Sequence, residues 1–212
     1  MSLRKLCVSL IILACCTGAG AAEVALVMSV QGKVLKQEGE PGSPLEAYAK
    51  LNAGDRVVLD RNAQLRLAYF ENGRVETWAG PGGLEMTAHG GEASGLAAPA
   101  VKSLPLAVAR QLGRTPAGEG PGRKLPARTR SVAVPDALAK LEATYQELRG
   151  KAGADDLEPE AYLLSALFEL RELERVEKLM TELKQERAGN PEAALLVALY
   201  RKAVKNAREA RR

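Results

Sequence analysis

Cysteine is almost missing from this chain. Only Cys7, Cys15 and Cys16 occur in 212 residues, and all three precede Thr17. Beyond them no thiol is available for a disulfide, a thiolate metal site or a cysteine nucleophile. Histidine is a single residue, His89. Zinc needs about four ligands, so one histidine without cysteine organises no typical site. A histidine-based triad lacks its nucleophile elbow. Aromatic residues are 4% of the chain, with one Trp and two Phe, which excludes a binding face of stacked rings. Charge of one sign is also short: 30 basic against 26 acidic residues leaves +4. That is no field for nucleic acid, which is excluded as a partner.

The first residues carry an address. "MSLRK" is a positive n-region, "LCVSLIILACC" an apolar stretch too short to span a bilayer, and Ala19-Gly20-Ala21 a small-x-small cleavage site. Residues 1–22 are therefore expected to be a secretory signal, removed on export, which places the protein in the periplasm. "ILAC" and "LACC" are poor lipobox matches, with Leu13 where a small residue is usual. Lipidation of Cys15 or Cys16, giving an anchored lipoprotein facing the periplasm, is the alternative.

Three segments follow. Residues 23–93 alternate as strands do. In "QLRLAYF", Leu65, Leu67 and Tyr69 alternate with Gln64, Arg66 and Ala68. Asn72-Gly73 predicts a two-residue hairpin turn, which would set Glu71 opposite Arg74, Phe70 opposite Val75 and Leu67 opposite Trp78. "GPGGLEM" breaks the chain before a last short strand near Leu84–Thr87. Residues 94–131 lose periodicity and are rich in Pro, Gly, Ala and basic residues. They read as a basic, disordered linker, in which "LPLAVARQLG" can form a short helix ending at Gly113.

Residues 132–212 are helical. "PEAYLLSALF" at 159–168 returns as "PEAALLVALY" at 191–200, identical at seven of ten positions with an offset of 32. The prolines suit the first turn of a helix. Helices are predicted over 135–149, 159–172, 174–188 and 191–208, with Gly150 and Gly189 as stops. Leu163, Leu164, Leu167, Phe168 and Leu170 cannot all face one neighbour, so this region buries itself or self-associates.

Candidate chemistry is thin. His89 reads as an exposed loop residue. Asp55, Asp60, Glu71 and Glu76 could supply an acid and a base, but no apolar cleft is evident to shift a pKa, and turn and strand roles account for them. "GEGPGRK" at 118–124 lacks the spacing, the hydroxyl residue and the preceding strand of a phosphate loop. The cations of the last helix, Arg201, Lys202, Lys205, Arg208, Arg211 and Arg212, suit a helix C-terminus. No catalytic, cofactor-binding or metal residue is assigned, and no enzyme is expected.

Gly32-Lys33-Val34, then Leu51-Asn52-Ala53-Gly54-Asp55, then Asn72-Gly73 within "LNAGDRVVLDRNAQLRLAYFENGRVETWAGPGGLEM" resemble the FecR-like domain over about residues 24–90. The resemblance implies an all-β, twisted or helix-like sheet module in the periplasm, without catalytic residues. In the founding regulators of that family it relays a signal from an outer-membrane receptor to a sigma factor. The repeated helices are similar to tetratricopeptide repeats. Ala166 and Ala198, each seven residues after its proline, stand where that family favours a small residue, but the repeat is 32 residues rather than the usual 34. The expected whole is α+β in separate segments: a FecR-like β module, a linker and TPR-like helical hairpins. Its expected role is non-enzymatic binding or scaffolding toward a protein or envelope polymer. The alternatives are a signalling component with a separate membrane partner and, least favoured, a cell-wall-acting enzyme using Asp55 or Glu76.

Overall fold

The computed structural model describes residues 22–38, 42–116 and 134–210. Residues 1–21 of the signal predicted over 1–22, the phosphate-loop-like stretch at 118–124, the rest of the linker to 131, and Arg211 and Arg212 lie outside the described residues. Ten strands come first: β1 (Glu23–Gln31), β2 (Val34–Lys36), β3 (Ser43–Pro44), β4 (Lys50–Asn52), β5 (Arg56–Leu59), β6 (Gln64–Tyr69), β7 (Arg74–Ala79), β8 (Gly82–Met86), β9 (Gly91–Ser94) and β10 (Ala100–Ser103). Five helices follow: α1 (Leu106–Leu112), α2 (Val134–Lys151), α3 (Glu158–Glu169), α4 (Leu173–Glu186) and α5 (Pro191–Glu209).

The strands form two five-stranded antiparallel sheets, one ordered β10-β7-β6-β1-β4 and the other β3-β2-β5-β8-β9. Alternation along β1 and β6 explains the layering. Ala25, Val27, Leu65, Leu67 and Tyr69 meet Val57, Leu59, Leu84 and Met86 of the second sheet. The intervening Leu26, Met28 and Ala68 point the other way and join Val75, Leu104, Val108 and the helices in a second core. The first sheet is thus buried on both faces, and the molecule has three layers: sheet, sheet, helices.

This shared core corrects the separation expected from the sequence. Residues 94–116 are no disordered linker. Ala100–Ser103 add a strand to β7, and Val108, Ala109 and Leu112 of α1 are buried. Polar, proline-broken sequence becomes ordered here because the partner groups come from β7 and α3 rather than from local periodicity.

The hairpin also differs. Ala68 pairs with Val75 and Leu67 with Glu76, two positions from the expected register, while Trp78 stands opposite Leu65. Residues 70–73 make a four-residue loop closed by the Gly73 N–H on the Tyr69 carbonyl at 3.2 Å. Gly73 has φ +70, but Asn72 is not among the positive-φ residues, so a type I′ turn, which needs both, is ruled out. Asn72 instead accepts from Arg74 N at 2.9 Å and donates to the His89 carbonyl at 2.8 Å. A shift of two preserves which face each side chain occupies.

Helices end close to where proline and glycine place them. Asn190 caps α5, its side chain accepting from Ala193 N at 3.0 Å. α2 runs one residue past Gly150. α3 is buried from Glu158 through Phe168, being packed by α1, α2, α4 and α5 at once, which is why its apolar residues surround it. Phe168 and Tyr200 meet edge to face, with ring centroids 5.9 Å apart. Ala166 is buried as the repeat resemblance implies, whereas Ala198 is exposed. The last helix also reaches the first strand: Glu192 lies beside the Val30 backbone, and burial raises its carboxyl above its ordinary pKa.

Candidate functional site

Three of the four carboxylates considered for acid–base work are engaged in the framework. Asp55 accepts from Asn52 N at 2.7 Å and pairs with Lys36 Nζ at 2.9 Å, closing the turn from β4 to β5. Burial pulls Lys36 down, but Glu38 and Asp55 outweigh it and the ammonium titrates above its ordinary value. Asp60 accepts from Arg61 N at 2.7 Å. Glu71 does not pair with Arg74. Its side chain lies 3.7 Å from His89 Nδ1, with both side chains exposed. These two therefore contribute little, and the structure places His89 in the exposed loop expected of it.

Glu76 is different, being 1% exposed. Arg74 on the same face of β7 donates to one oxygen, and Trp78 Nε1 and Gly91 N donate to the other at 2.9 and 3.0 Å. With three donors on its two oxygens, this buried carboxylate is satisfied. It fastens β7 of one sheet to the backbone of β9 in the other. A Cβ on Gly90 would stand 2.9 Å from Glu76 Oε1, and one on Gly91 only 2.5 Å from Leu84 Cδ1. The Gly90-Gly91 pair is what allows this approach. Tyr69 beside it is driven above its ordinary pKa by burial and then by the Glu76 carboxylate.

A second charged cluster joins the first sheet to the helices. Arg66 of β6 donates to Asp156 at 2.9 Å and also to Glu158. Lys102 of β10 reaches the same pair at 3.4 and 3.0 Å. Behind them, Arg149 binds both oxygens of Glu160 at 3.0 Å and the Asp156 carbonyl at 2.7 Å. Tyr145 donates to Glu160 at 3.2 Å, and burial together with that carboxylate pushes its phenol up to about 12. Sequence reasoning placed Arg66 on a polar face and Lys102 in a linker, so this cluster was missed. The one hint was a lone arginine between strongly apolar positions of β6.

Among the described residues no group of three or more metal-ligating side chains converges, and no helix is long and apolar enough to cross a membrane. A shallow cleft between α4 and α5 is floored by Met180 and Val204 and rimmed by Glu177, Arg201, Lys205 and Arg208.

One side of the sandwich ends in two edge strands. β9 and β10 end their respective sheets and are joined by residues 95–99. All four residues of β10 are exposed, as are Glu92, Ala93 and Ser94 of β9. At the other ends, β3 has two residues including Pro44, and β4 has three. Val101 and Leu106, which flank the end of β10, are 48% and 40% exposed, two of the three large apolar side chains that stand out in solvent among the described residues.

Compared with family models, curated proteins and solved structures, the chain finds no match in any of the three.

Proposed function

We propose that this protein is a non-enzymatic periplasmic binding or scaffold protein built on a FecR-like domain, with a TPR-like helical layer that braces it. The observation that carries the reading is the open edge of β9. An exposed strand offers unpaired backbone N–H and C=O groups to an added strand. Glu92, Ala93 and Ser94 are exposed there, and Glu76 holds the strand's first residue rigid from the other sheet. Support for the FecR-like reading comes from its turn glycines: Gly32, Gly54 and Gly73 have φ +74, +84 and +70, the left-handed region that makes glycine the residue of choice.

Rigid framing suits recognition rather than turnover. The cationic and backbone partners of Asp55 and Glu76 hold both carboxylates in structural bonds. The test is affinity capture from a periplasmic extract with the wild-type chain and with Ala93→Lys, a charge of the kind that blunts strand addition. Specific partners are expected to be lost from the variant while its melting curve is unchanged. Retention of every partner by Ala93→Lys would move recognition away from this edge.

A further inference from the structure

We infer that the strand added at the β9 edge is an antiparallel segment of another protein that sets a lysine or arginine opposite Glu92 and an apolar residue opposite Ala93, and that Glu92 is the residue that selects it. The inference rests on the reading of β9 as the recognition edge. It adds the register and the chemistry of the partner segment.

The backbone fixes the register. Met86 of β8 turns both its polar groups toward β5: its N–H donates to the Asp55 carbonyl, and its carbonyl accepts from Gly54 N, each at 2.8 Å. Backbone groups alternate in direction along an antiparallel strand. Glu85 and Gly83 therefore turn toward β9, where their register partners are Glu92 and Ser94. Gly91 and Ala93 are left to aim their N–H and C=O away from β8. The outward Gly91 N–H is already taken, donating to Glu76 Oε2 at 3.0 Å. Ala93 is exposed, and neither its N–H nor its carbonyl has a partner among the described residues. A residue of an added antiparallel strand can exchange two hydrogen bonds with β9 only at Ala93, and this places it opposite that residue.

Side chains then set the chemistry. Arg56, Glu85 and Glu92 stand in one row across β5, β8 and β9. Arg56 Nε donates to Glu85 Oε2 at 2.9 Å, so the one cation of the row is already paired. Glu92 faces the like charge of Glu85 and makes no ion pair with a described residue. With the hydrogen-bonded pair at Ala93, the partner residue opposite Glu92 falls in a non-hydrogen-bonded pair, where Cα atoms are ~4.5 Å apart and side chains are closest. A cation there offsets the opposed carboxylates, whereas an acid would add a third negative charge to them. The neighbouring row, Val57, Leu84 and Ala93, lies on the opposite face. Val57 and Leu84 belong to the core between the sheets, so an apolar side chain opposite Ala93 extends that row. Read from its own N-terminus, the partner segment has an apolar residue followed directly by a basic one.

The test titrates two acetylated and amidated peptides, Ser-Thr-Val-Lys-Gly and Ser-Thr-Val-Glu-Gly, into the isotope-labelled full chain and follows its backbone amides by NMR. The lysine peptide should shift the Ala93 amide and bind at least about threefold more tightly than the glutamate peptide. Glu92→Lys should reverse that order, and Ala93→Lys should bind neither peptide. Equal affinity of the two peptides at Ala93, or an order unchanged by Glu92→Lys, would overturn the inference and leave the edge reading standing. Shifts that avoid Ala93, binding that survives Ala93→Lys, or no binding of either peptide would remove both.

Discussion

Arg66 Nη2 lies 2.9 Å from Asp156 Oδ2, across 90 residues of sequence, and this contact ties the central strands to the helical layer. Removing the guanidinium would leave Asp156 and the buried Glu158 with Lys102 as their remaining side-chain cation. Arg66→Met is expected to destabilise the protein by about 3 kcal/mol, in the range for breaking a largely buried pair. Urea titration followed by circular dichroism measures it, and a loss under about 1 kcal/mol would mean that the cluster is solvated.

The same cluster fixes a pH dependence. Burial alone would raise the Asp156 pKa, but the hydrogen bond and charge of Arg66 outweigh it and hold the carboxyl below its ordinary value. A depressed carboxyl stabilises the folded state above the unfolded pKa of about 3.9, and that contribution disappears as pH falls through the folded value. The acid limb of wild-type stability should therefore be steeper than that of Asp156→Asn. Parallel limbs below pH ~4 would contradict the assignment.

Gly73 is held by more than its backbone angle. A Cβ there would stand 2.4 Å from the Leu104 carbonyl oxygen, and the Gly73 carbonyl accepts from Leu104 N at 2.8 Å. Gly73→Val should cost more than the ~1–3 kcal/mol of a strained φ, because the turn and the entry to α1 must both move. A thermal melt with less than about 1 kcal/mol of loss would argue against the loop geometry.

Glu76 and the only tryptophan report on each other. Trp78 Nε1 donates to Glu76 at 2.9 Å, and the indole is 3% exposed. Glu76→Ala leaves this donor, Gly91 N and Arg74 without their shared acceptor. A loss of about 3 kcal/mol is expected, with a red-shifted tryptophan emission before global unfolding. Unchanged emission would show that the two sheets do not depend on this carboxylate.

Tyr48 offers the reverse case. Its hydroxyl is buried with no hydrogen-bond partner among the described residues, and burial drives its pKa above the ordinary value. Tyr48→Phe deletes an unpaired polar group at nearly constant shape, so the variant should be as stable as wild type or up to about 1 kcal/mol more stable. A clear loss would show that the hydroxyl has a partner, such as an ordered water.

How much of this was legible follows the range of the interactions. β1, β6, β7 and the helices announce themselves through local signals: alternation in Leu65, Leu67 and Tyr69, and Pro159 and Pro191 at helix starts. β10 does not, because Ala100–Ser103 have no pattern and are ordered by pairing with β7. The double burial of the first sheet was hidden by Arg66, whose charge marks its face as solvent until its partners 90 and 92 residues away are known. Glu76 read as a strand carboxylate without a cleft, and its burial was signalled only by Gly90-Gly91, which reads equally well as a loop.

The contact between Glu192 and Val30 has a consequence for the order of events in the life of the chain. The first strand sits in mid-sheet between β6 and β4, and its Leu26 and Met28 belong to the core that Leu196, Tyr200 and Val204 complete. A chain growing from its N-terminus therefore holds an uncovered sheet until nearly its last residues are made. The helix-facing core therefore closes only when α5 is made, although the core between the two sheets is complete by Leu96. A chain stopped before Pro191 is expected to be recognised by proteases as unfinished, although every strand is present.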